Sequence, residues 1–490
     1  MTPSILIPAL LAAALAATVL DAGAAETRPG LKPCRLKGVE TDALCGTIRR
    51  PLDPARPEGV QIDVHVAVLP ALARNRKPDP VLFFAGGPGQ SAVELAGTVS
   101  RLMGRLSYRR DIVLVDQRGT GKTAPLYCSE PPANAPLADM ADPARWRQRF
   151  ADCLATLQKL PHGDLRHYTT TVAMQDADAV RQALGATQVN VIGGSYGTRA
   201  ALEYLRQFPQ AVRRVVIDGV APPDMVLPVA MSGDAQAALE QVLAACAAQP
   251  GCRQHWPDLA GDWKRLLGSL PREVRLPHPL TGVPQAVTLT PDMVLGFVRG
   301  PLYLPALASA LPLAIHEAAA GRFEPLVGLS SAMGSRRGER MSEGMHFSVI
   351  CAEDAPRMAQ AKDLPGADFG LGMAALYRDV CGFWPRGEVP AAFYAMPPSP
   401  VATLVLSGGA DPVTPPRHGE RATQALGAKA RHVVVPQAGH GVIGLPCLRD
   451  VLYRFVDAAS DEDAQKVDAV CAAAIPRPGA FVPPGLETQP

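Results

Sequence analysis

The stretch VNVIGGSYGTRAALEYL, residues 189–205, passes from a β-branched apolar run straight into an alanine- and leucine-rich run with helical spacing. Valine and isoleucine favour strands, whereas alanine and leucine favour helices. Ser195 stands at the change, in the pattern Gly-x-Ser-x-Gly that it forms with Gly193 and Gly197. Small residues on both sides let a strand turn sharply into a helix, which leaves the serine hydroxyl exposed at the turn. The stretch therefore predicts a strand, a tight turn and a helix.

Apolar, β-branched runs recur along the chain with helical segments between them, a pattern typical of a mostly parallel sheet covered by helices on both faces. A helical pattern at 174–185 leads into the serine stretch. The further strand candidates lie at residues 60–72, 80–89, 111–121, 213–223, 402–415 and 431–441. We predict an α/β fold built on this sheet.

The strand pattern is interrupted between residues 225 and 395. Apolar residues follow helical spacing there, as at 235–246 and 292–300. A helical insertion between sheet strands is typical of a lid, and ordinary helices packed on the sheet are the alternative. We predict a core over 25–224 and 396–475, a helical lid insertion over 225–395, and a surface tail over 476–490.

The N-terminal residues 1–26, MTPSILIPALLAAALAATVLDAGAAE, form an apolar run that ends in the small-x-small pattern Ala22-Gly23-Ala24. This pattern predicts a signal peptide over 1–24 and an exported protein, periplasmic or secreted. The run lacks a positively charged start, so an N-terminal membrane anchor is the alternative. The longest apolar stretch elsewhere, 303–315, contains two prolines and falls short of the ~20 residues that cross a bilayer. We expect no membrane association after signal cleavage.

Ten cysteines, an even number, fit an oxidising compartment. Sequence alone does not determine their pairing, but their spacing falls into five local couples. Metal ligation is the alternative, although the chain has no C-x-x-C pair and no H-x-x-x-H helix. We expect disulfides and no metal. The couples are Cys34/Cys45, Cys128/Cys153, Cys246/Cys252, Cys351/Cys381 and Cys447/Cys471.

The net charge of +2 is small, and the chain has no block of like charges. Such a chain has no strong field for nucleic acid or an acidic membrane surface, so neither is an expected partner. A small or neutral partner fits better. Nothing in the sequence determines the oligomeric state.

Three residues that follow predicted strands form a chemically consistent set. A serine hydroxyl is a poor nucleophile at neutral pH, so it needs a base and a third group that orients the base. Ser195, Asp411 and His440 each come directly after an apolar run. The functional loops of such a sheet lie at the carboxyl ends of its strands, so we expect the three to converge. Their order, with a large insertion before the acid, is that of α/β-hydrolases.

Acyl transfer also needs backbone N–H groups to stabilise the oxyanion. Tyr196, directly after the candidate nucleophile, supplies one candidate amide. The glycine turn at 86–89 follows a predicted strand, and Gly87 is the second candidate.

Five motifs together resemble the prolyl and tripeptidyl aminopeptidase branch of the α/β-hydrolase serine peptidases. They are GGPG at 86–89, DQRGTG at 116–121, GGSYGTR at 193–199, GGADPVTP at 408–415 and GHG at 439–441. The Cys447–Cys471 segment is similar to the C-terminal region of exported tripeptidyl-aminopeptidase-like members. ICAED at 350–354, with Cys381 and Trp384, is similar to their lid-to-core segment.

The resemblance implies that Ser195 is the nucleophile, Asp411 the orienting acid and His440 the general base. It also implies that Gly87 and Tyr196 form the oxyanion hole, and it implies no cofactor. One departure is Ala85, because prolyl iminopeptidases commonly carry histidine before GGPG. This departure argues against a strict proline iminopeptidase.

Aminopeptidases of this kind hold the substrate ammonium with lid carboxylates, and Glu353 and Asp354 are the candidates here. A solvated loop or a helix cap is the alternative for these two residues. We expect an exported serine hydrolase, an aminopeptidase that releases short N-terminal pieces of peptides through an acyl-enzyme. A carboxylesterase acting on small esters with the same machinery is the alternative. A catalytically silent binding protein on this fold is a third hypothesis.

Overall fold

The computed structural model describes residues 30–132, 134–334 and 340–483. The predicted signal peptide, 1–24, and residues 484–490 of the predicted tail lie outside the described residues.

The strands of the described ranges are β1 (Lys32–Cys34), β2 (Ala43–Pro51), β3 (Gln61–Leu69), β4 (Val81–Phe84), β5 (Ile112–Val115), β6 (Val189–Gly194), β7 (Val212–Asp218), β8 (Arg272–Pro277), β9 (Pro284–Leu289), β10 (Thr403–Gly408) and β11 (Ala430–Val435). Nine of them form one sheet, in the order β1-β2-β3-β5-β4-β6-β7-β10-β11, and the other two form a hairpin.

The sheet is parallel from β5 to β11, and β1, β2 and β3 add an antiparallel edge. The predicted mostly parallel sheet is therefore confirmed. The sequence analysis did not predict β1 and β2. Much of β2 is partly exposed, so it lacks the continuous apolar run that marks a buried parallel strand.

Helices lie along both faces of the sheet and fill the insertion. Those of the described ranges are α1 (Ala96–Leu102), α2 (Gly104–Ser107), α3 (Leu137–Ala141), α4 (Pro143–Leu157), α5 (Thr170–Ala183), α6 (Tyr196–Gln207), α7 (Val229–Ala248), α8 (Pro250–His255), α9 (Leu259–Gly268), α10 (Pro291–Leu302), α11 (Pro305–Ala308), α12 (Leu311–Ala319), α13 (Glu324–Gly334), α14 (Glu343–Glu353), α15 (Gly372–Phe383), α16 (Pro416–Leu426), α17 (Pro446–Asp457) and α18 (Asp461–Gln465).

Neighbouring residues of one strand belong to opposite cores, because successive side chains of a strand point to opposite faces. Val191 of β6 packs in the cluster that contains Ala200 of α6, whereas Ile192 packs in the cluster that contains Val99 of α1 and Leu448 of α17. Both faces of β6 are therefore buried, which explains why its sequence reads as a continuous apolar run rather than an alternating one.

The chain between β7 and β10, residues 219–402, is an insertion that contains α7 to α15 and the β8–β9 hairpin. Part of it has a core of its own around Trp256, Trp263 and Phe323. Helix α14 differs, because Phe347 packs in the same cluster as Val191 of the sheet. The insertion is thus a separate layer in one part and a cover on the sheet in another, while the bounds 225–395 stay a prediction.

Two features of the insertion differ from the helical pattern. The β8–β9 hairpin was not predicted, and the apolar stretch 303–315 is divided between two helices, α11 and α12. The prolines at 305 and 312 occupy first-turn positions of these helices, where the missing N–H costs nothing. Within the described ranges, no helix combines the length and hydrophobicity that a membrane crossing needs.

All five cysteine couples predicted from their spacing are disulfide-bonded. Four of the bridges tie segments within the core or within the insertion. The fifth, Cys447–Cys471, ties α17 to the segment after α18. Part of the predicted surface tail also has contacts, because the Ala480 and Phe481 amides donate to Gln249 Oε1 (3.3 Å) and to the Ser309 carbonyl (2.9 Å).

Candidate active site

Ser195 lies between the end of β6 and the start of α6, with φ of +54° and ψ of −126°. Positive φ is rare for a residue with a side chain and marks a constrained turn. A Cβ at Gly193 would lie 2.2 Å from the Gly197 carbonyl oxygen, and one at Gly197 would lie 2.1 Å from the Phe84 carbonyl oxygen. The strand and the helix approach this closely only because both positions are glycine.

Asp411 and His440 follow β10 and β11, which are neighbours in the sheet. The Asp411 Oδ2 to His440 Nδ1 distance is 2.8 Å. The amides of Val413 and Thr414 donate to Asp411 Oδ1, each at 2.9 Å, and the Thr414 hydroxyl donates to Oδ2 at 2.8 Å. These bonds hold the carboxylate in place, so His440 meets an acceptor of fixed orientation.

The end of β7 links the serine turn to the histidine loop. The Ser195 amide donates to the Asp218 carbonyl at 2.9 Å. A Cβ on the next residue, Gly219, would lie 3.2 Å from His440 Cε1. Ser195 and His440 therefore lie next to two consecutive residues, Asp218 and Gly219. The structure thus brings Ser195, Asp411 and His440 to one edge of the sheet.

The pair of Asp411 and His440 shifts the pKa of both groups in the directions expected for an ion pair. Burial opposes protonation of His440, but the charge and hydrogen bond of Asp411 outweigh it and raise its pKa above the ordinary value. For Asp411, burial favours the neutral acid, but His440 and the hydrogen bonds from Thr414 lower the pKa. The carboxylate therefore stays ionised and favours a protonated imidazole.

The glycine turn at 86–89 lies against the serine turn. A Cβ at Gly86 would lie 3.2 Å from Ser195 Cβ, and Gly87 has φ of +109°, a conformation that glycine adopts readily. Tyr196 is the first residue of α6, and its buried hydroxyl bonds to Thr170 Oγ1 (2.6 Å) and Gln117 Nε2 (2.9 Å). Both candidate amides therefore belong to anchored segments next to Ser195.

Glu353 and Asp354 lie in a sealed ion cluster with Arg199 of α6, and all three side chains are 0% exposed. Arg199 donates to both oxygens of Asp354, at 2.9 and 3.2 Å, and to Glu353 Oε2 at 3.4 Å. The amides of Thr170 and Leu227 donate to Glu353 (2.7 Å) and Asp354 (3.0 Å). A substrate ammonium would have to displace Arg199, so the geometry lends no support to the amine-holding role, which stays a prediction.

Glu353 ionises less readily than an ordinary glutamate. Burial raises the pKa of Glu353 to about 7, against the lowering effect of Arg199. One guanidinium compensates one buried carboxylate well and a second one poorly. The closer, two-oxygen contact of Asp354 indicates that Asp354 is the principal partner of Arg199.

Asp218 was not predicted from the sequence, although a signal exists. Its carboxylate is buried and accepts the amides of Val442 (2.8 and 3.0 Å) and Ile443 (2.8 Å), directly after the loop of His440. Like Asp411, it is an acid at the end of a buried apolar strand. Burial raises its pKa above the ordinary value.

Residues of the insertion also reach this edge, and the sequence carries no signal for them. The His440 amide donates to the Tyr303 carbonyl at 2.9 Å, and the two rings lie edge to face at 5.2 Å. On the side of the glycine turn, His346 Nδ1 lies 3.0 Å from the Pro88 carbonyl oxygen and Nε2 lies 2.9 Å from the Tyr377 hydroxyl. The insertion thus contacts the site from two sides.

Two known protein families match parts of the chain. Residues 79–254 match the family described as alpha/beta hydrolase fold, and residues 367–471 match the family described as TAP-like protein. The first match contains the serine turn and the glycine turn. The second contains Asp411, His440 and the Cys447–Cys471 bridge.

Two relatives of the chain are named as peptidases. The serine protease Hip1 of Mycobacterium tuberculosis is 27% identical over 430 residues, which cover 79% of this chain and 80% of the relative. Tripeptidyl aminopeptidase of Streptomyces lividans is 32% identical over 190 residues, 36% of this chain and 35% of the relative. Among solved structures, proline iminopeptidase of Mycobacterium smegmatis is 14% identical with a TM-score of 0.35, over 86% of this chain and all of that one. That score is too low to bear on fold or function.

The two family matches and the serine protease and aminopeptidase relatives agree with the sheet observed here and with the motif resemblance. On this evidence the chain has the α/β-hydrolase fold and is similar to serine peptidases of that fold.

Proposed function

We propose that Ser195 is the nucleophile, His440 the general base and Asp411 the acid that orients it. The observation that carries this proposal is the partly buried 2.8 Å contact between Asp411 and His440, on the same sheet edge as the constrained serine turn. Asp411 accepts the Nδ1 proton, which leaves Nε2 free to take a proton from a hydroxyl.

The reaction has two halves. Ser195 Oγ attacks the substrate carbonyl carbon while His440 takes the hydroxyl proton, and the oxyanion is stabilised by the Gly87 and Tyr196 amides. The C–N bond then breaks, His440 gives its proton to the leaving amine, and an acyl-enzyme remains. Water repeats the attack with His440 as base, which frees the acid and restores Ser195.

The proposed substrate is a peptide, and the product is a short N-terminal piece. The similarity to tripeptidyl aminopeptidase and the TAP-like match support this choice. A carboxylesterase is the second candidate, because the same serine, histidine and oxyanion donors also cleave esters. The role of Glu353 and Asp354 in holding the substrate amine rests on the motif resemblance alone.

Activity-based labelling and one matched substrate set test the function. Wild type should react with a fluorophosphonate, and Ser195→Ala should not, whereas Ser129→Ala, at an exposed serine, should label normally. An aminopeptidase should cleave a free-amine peptide amide and fail on its N-acetylated form. Equal cleavage of both forms would contradict aminopeptidase specificity, and cleavage of a nitrophenyl ester alone would favour the esterase. Wild type that does not label would favour the silent binding protein.

Export is the second part of the proposal. The support is the small-x-small pattern at 22–24 together with five disulfides in the folded chain. N-terminal sequencing of the protein from the periplasm or medium should give a start near Ala25. A chain that keeps residues 1–24 in the membrane fraction would instead support the anchor.

A further inference from the structure

Arg299 of helix α10 lies one helical turn before Tyr303, the residue whose carbonyl and ring contact His440. Residues four apart on a helix share one face, with Cβ atoms about 5–6 Å apart. Arg299 therefore extends along the surface that the insertion turns toward the proposed catalytic histidine. Its side chain is neither fully buried nor fully exposed.

Arg299 has no carboxylate partner within salt-bridge distance among the described residues. Its one hydrogen bond there joins Nη1 to Met373 Sδ at 2.7 Å, and a thioether is a weak acceptor. Two other arginines of the insertion are paired with carboxylates, Arg265 with Asp258 and Asp262, and Arg322 with Glu317. A partly desolvated guanidinium without an anion is costly, so an anion at this position would be bound favourably.

The Tyr303 hydroxyl is a second hydrogen-bond donor on the same side of the insertion as Arg299. The Tyr303 hydroxyl makes no hydrogen bond within the described ranges, whereas the nearby Tyr377 hydroxyl is bonded to His346. Burial raises the pKa of both tyrosines to about 12, and the charge of Arg299 opposes this rise in each. The guanidinium is thus close enough to act electrostatically on both phenols.

The acids near the site offer no internal partner for Arg299. Glu353 and Asp354 are held by Arg199, Asp411 by His440 and the Thr414 donors, and Asp218 by two backbone amides. None of these four acids is therefore available to Arg299, which leaves room there for an anion of the substrate.

We propose that Arg299, together with the Tyr303 hydroxyl, binds a carboxylate of the peptide substrate and makes the enzyme selective for peptides that carry one. This inference rests on the proposed peptidase function and specifies its substrate class. The carboxylate is either a peptide C-terminus or an Asp or Glu side chain.

Two matched substrate series distinguish these sources. In the first, short peptides with a free C-terminus are compared with the same peptides amidated. In the second, peptide nitroanilides carry Glu or Gln at each position on the acyl side. Wild type should favour the acid in one series by about ten-fold or more in kcat/KM, as expected for a charge-assisted contact. The series that shows the preference identifies the source.

The variants assign the preference to Arg299. Arg299→Gln should bring the acid-to-neutral ratio close to one, and Tyr303→Phe should reduce the ratio in part. Arg378→Gln is the matched control, because it removes an exposed arginine from the same insertion and should leave the ratio unchanged. Wild type without a preference in either series, or a preference that survives Arg299→Gln, would overturn the proposal.

A failure of the peptidase function gives a different result. In that case neither series is hydrolysed, although the fluorophosphonate still labels Ser195. Short peptide acids should then protect Ser195 from labelling better than the matching amides, and Arg299→Gln should abolish the difference. Equal protection by acids and amides would contradict the proposed carboxylate site, whether or not the enzyme hydrolyses peptides.

Discussion

Two buried ion clusters flank the first turns of helix α6, and they differ in access. At the serine turn, Asp411 is fully buried but its partner His440 keeps 16% of its side chain exposed. One turn further along α6, Arg199 and its two carboxylates are sealed completely. Both clusters join segments distant in sequence, yet only the first offers a titrating group that solvent or substrate reaches.

The difference shows that a carboxylate's role depends on its partner. Asp411 faces a histidine, whose proton exchanges near neutral pH, so the pair is suited to proton transfer. Asp354 faces an arginine, which stays protonated, so that pair is suited to fixing α6 against α14. We infer that the first cluster serves chemistry and the second serves stability, and the following variants separate the two roles.

Asp411→Asn should have the largest effect. The amide no longer holds the imidazole in the tautomer that leaves Nε2 as base, so kcat should fall by about 10⁴-fold. The fold should remain, because Asn keeps the size of the side chain and an oxygen that accepts from the Thr414 amide. Steady-state kinetics with circular dichroism on the same sample checks this. Activity within ten-fold of wild type would remove Asp411 from the proposed triad.

Asp354→Asn should act on stability instead. It leaves the Arg199 guanidinium buried with a neutral partner and a carboxyl whose pKa is raised, which typically costs about 3–5 kcal/mol. Urea unfolding of oxidised protein, with the disulfides intact, measures this loss. An unchanged midpoint together with a raised KM for free-amine peptides would instead restore the amine-holding role.

Glu353→Gln is the matched control and the smallest change, because Glu353 is the weaker partner at 3.4 Å and its pKa is already raised to about 7. A pKa raised by folding favours the folded state at low pH, and this contribution is lost as pH rises from the ordinary value near 4.5 through about 7. Wild type should lose stability across that window, by at most about 1.4 kcal/mol per pH unit. The Glu353→Gln variant should not show this pH-dependent loss of stability. Identical pH profiles for both proteins would contradict the shift.

Much of the sheet and three of the candidate site residues could be predicted because their signals are local. An apolar run followed by a glycine turn marks each of Ser195, Asp411 and His440, and the carboxyl ends of parallel strands meet at one edge. The same kind of local signal indicates Gly87 and Tyr196 as candidate oxyanion donors. It extends to Asp218 as well, which ends a run of the same kind but was not singled out.

The contacts of the insertion could not be predicted in this way. Glu353 and Asp354 stand out as an acidic pair after an apolar helix, but Arg199, their partner, lies more than 150 residues away in the chain. Arg299 and Tyr303 look like ordinary helix residues, and only their position beside His440 makes them candidates for substrate recognition. A periodic pattern in the sequence does not indicate which distant side chains will contact each other.

The sequence by itself determined the parallel sheet, the serine turn, the order of the candidate catalytic residues and the local cysteine couples, because each depends on neighbours a few residues away. Only the tertiary structure decided that Glu353 and Asp354 are sealed, that His440 stays partly exposed and that Arg299 has no carboxylate within salt-bridge distance among the described residues. Those properties depend on burial and on partners from distant segments, and packing of the whole chain is what creates them.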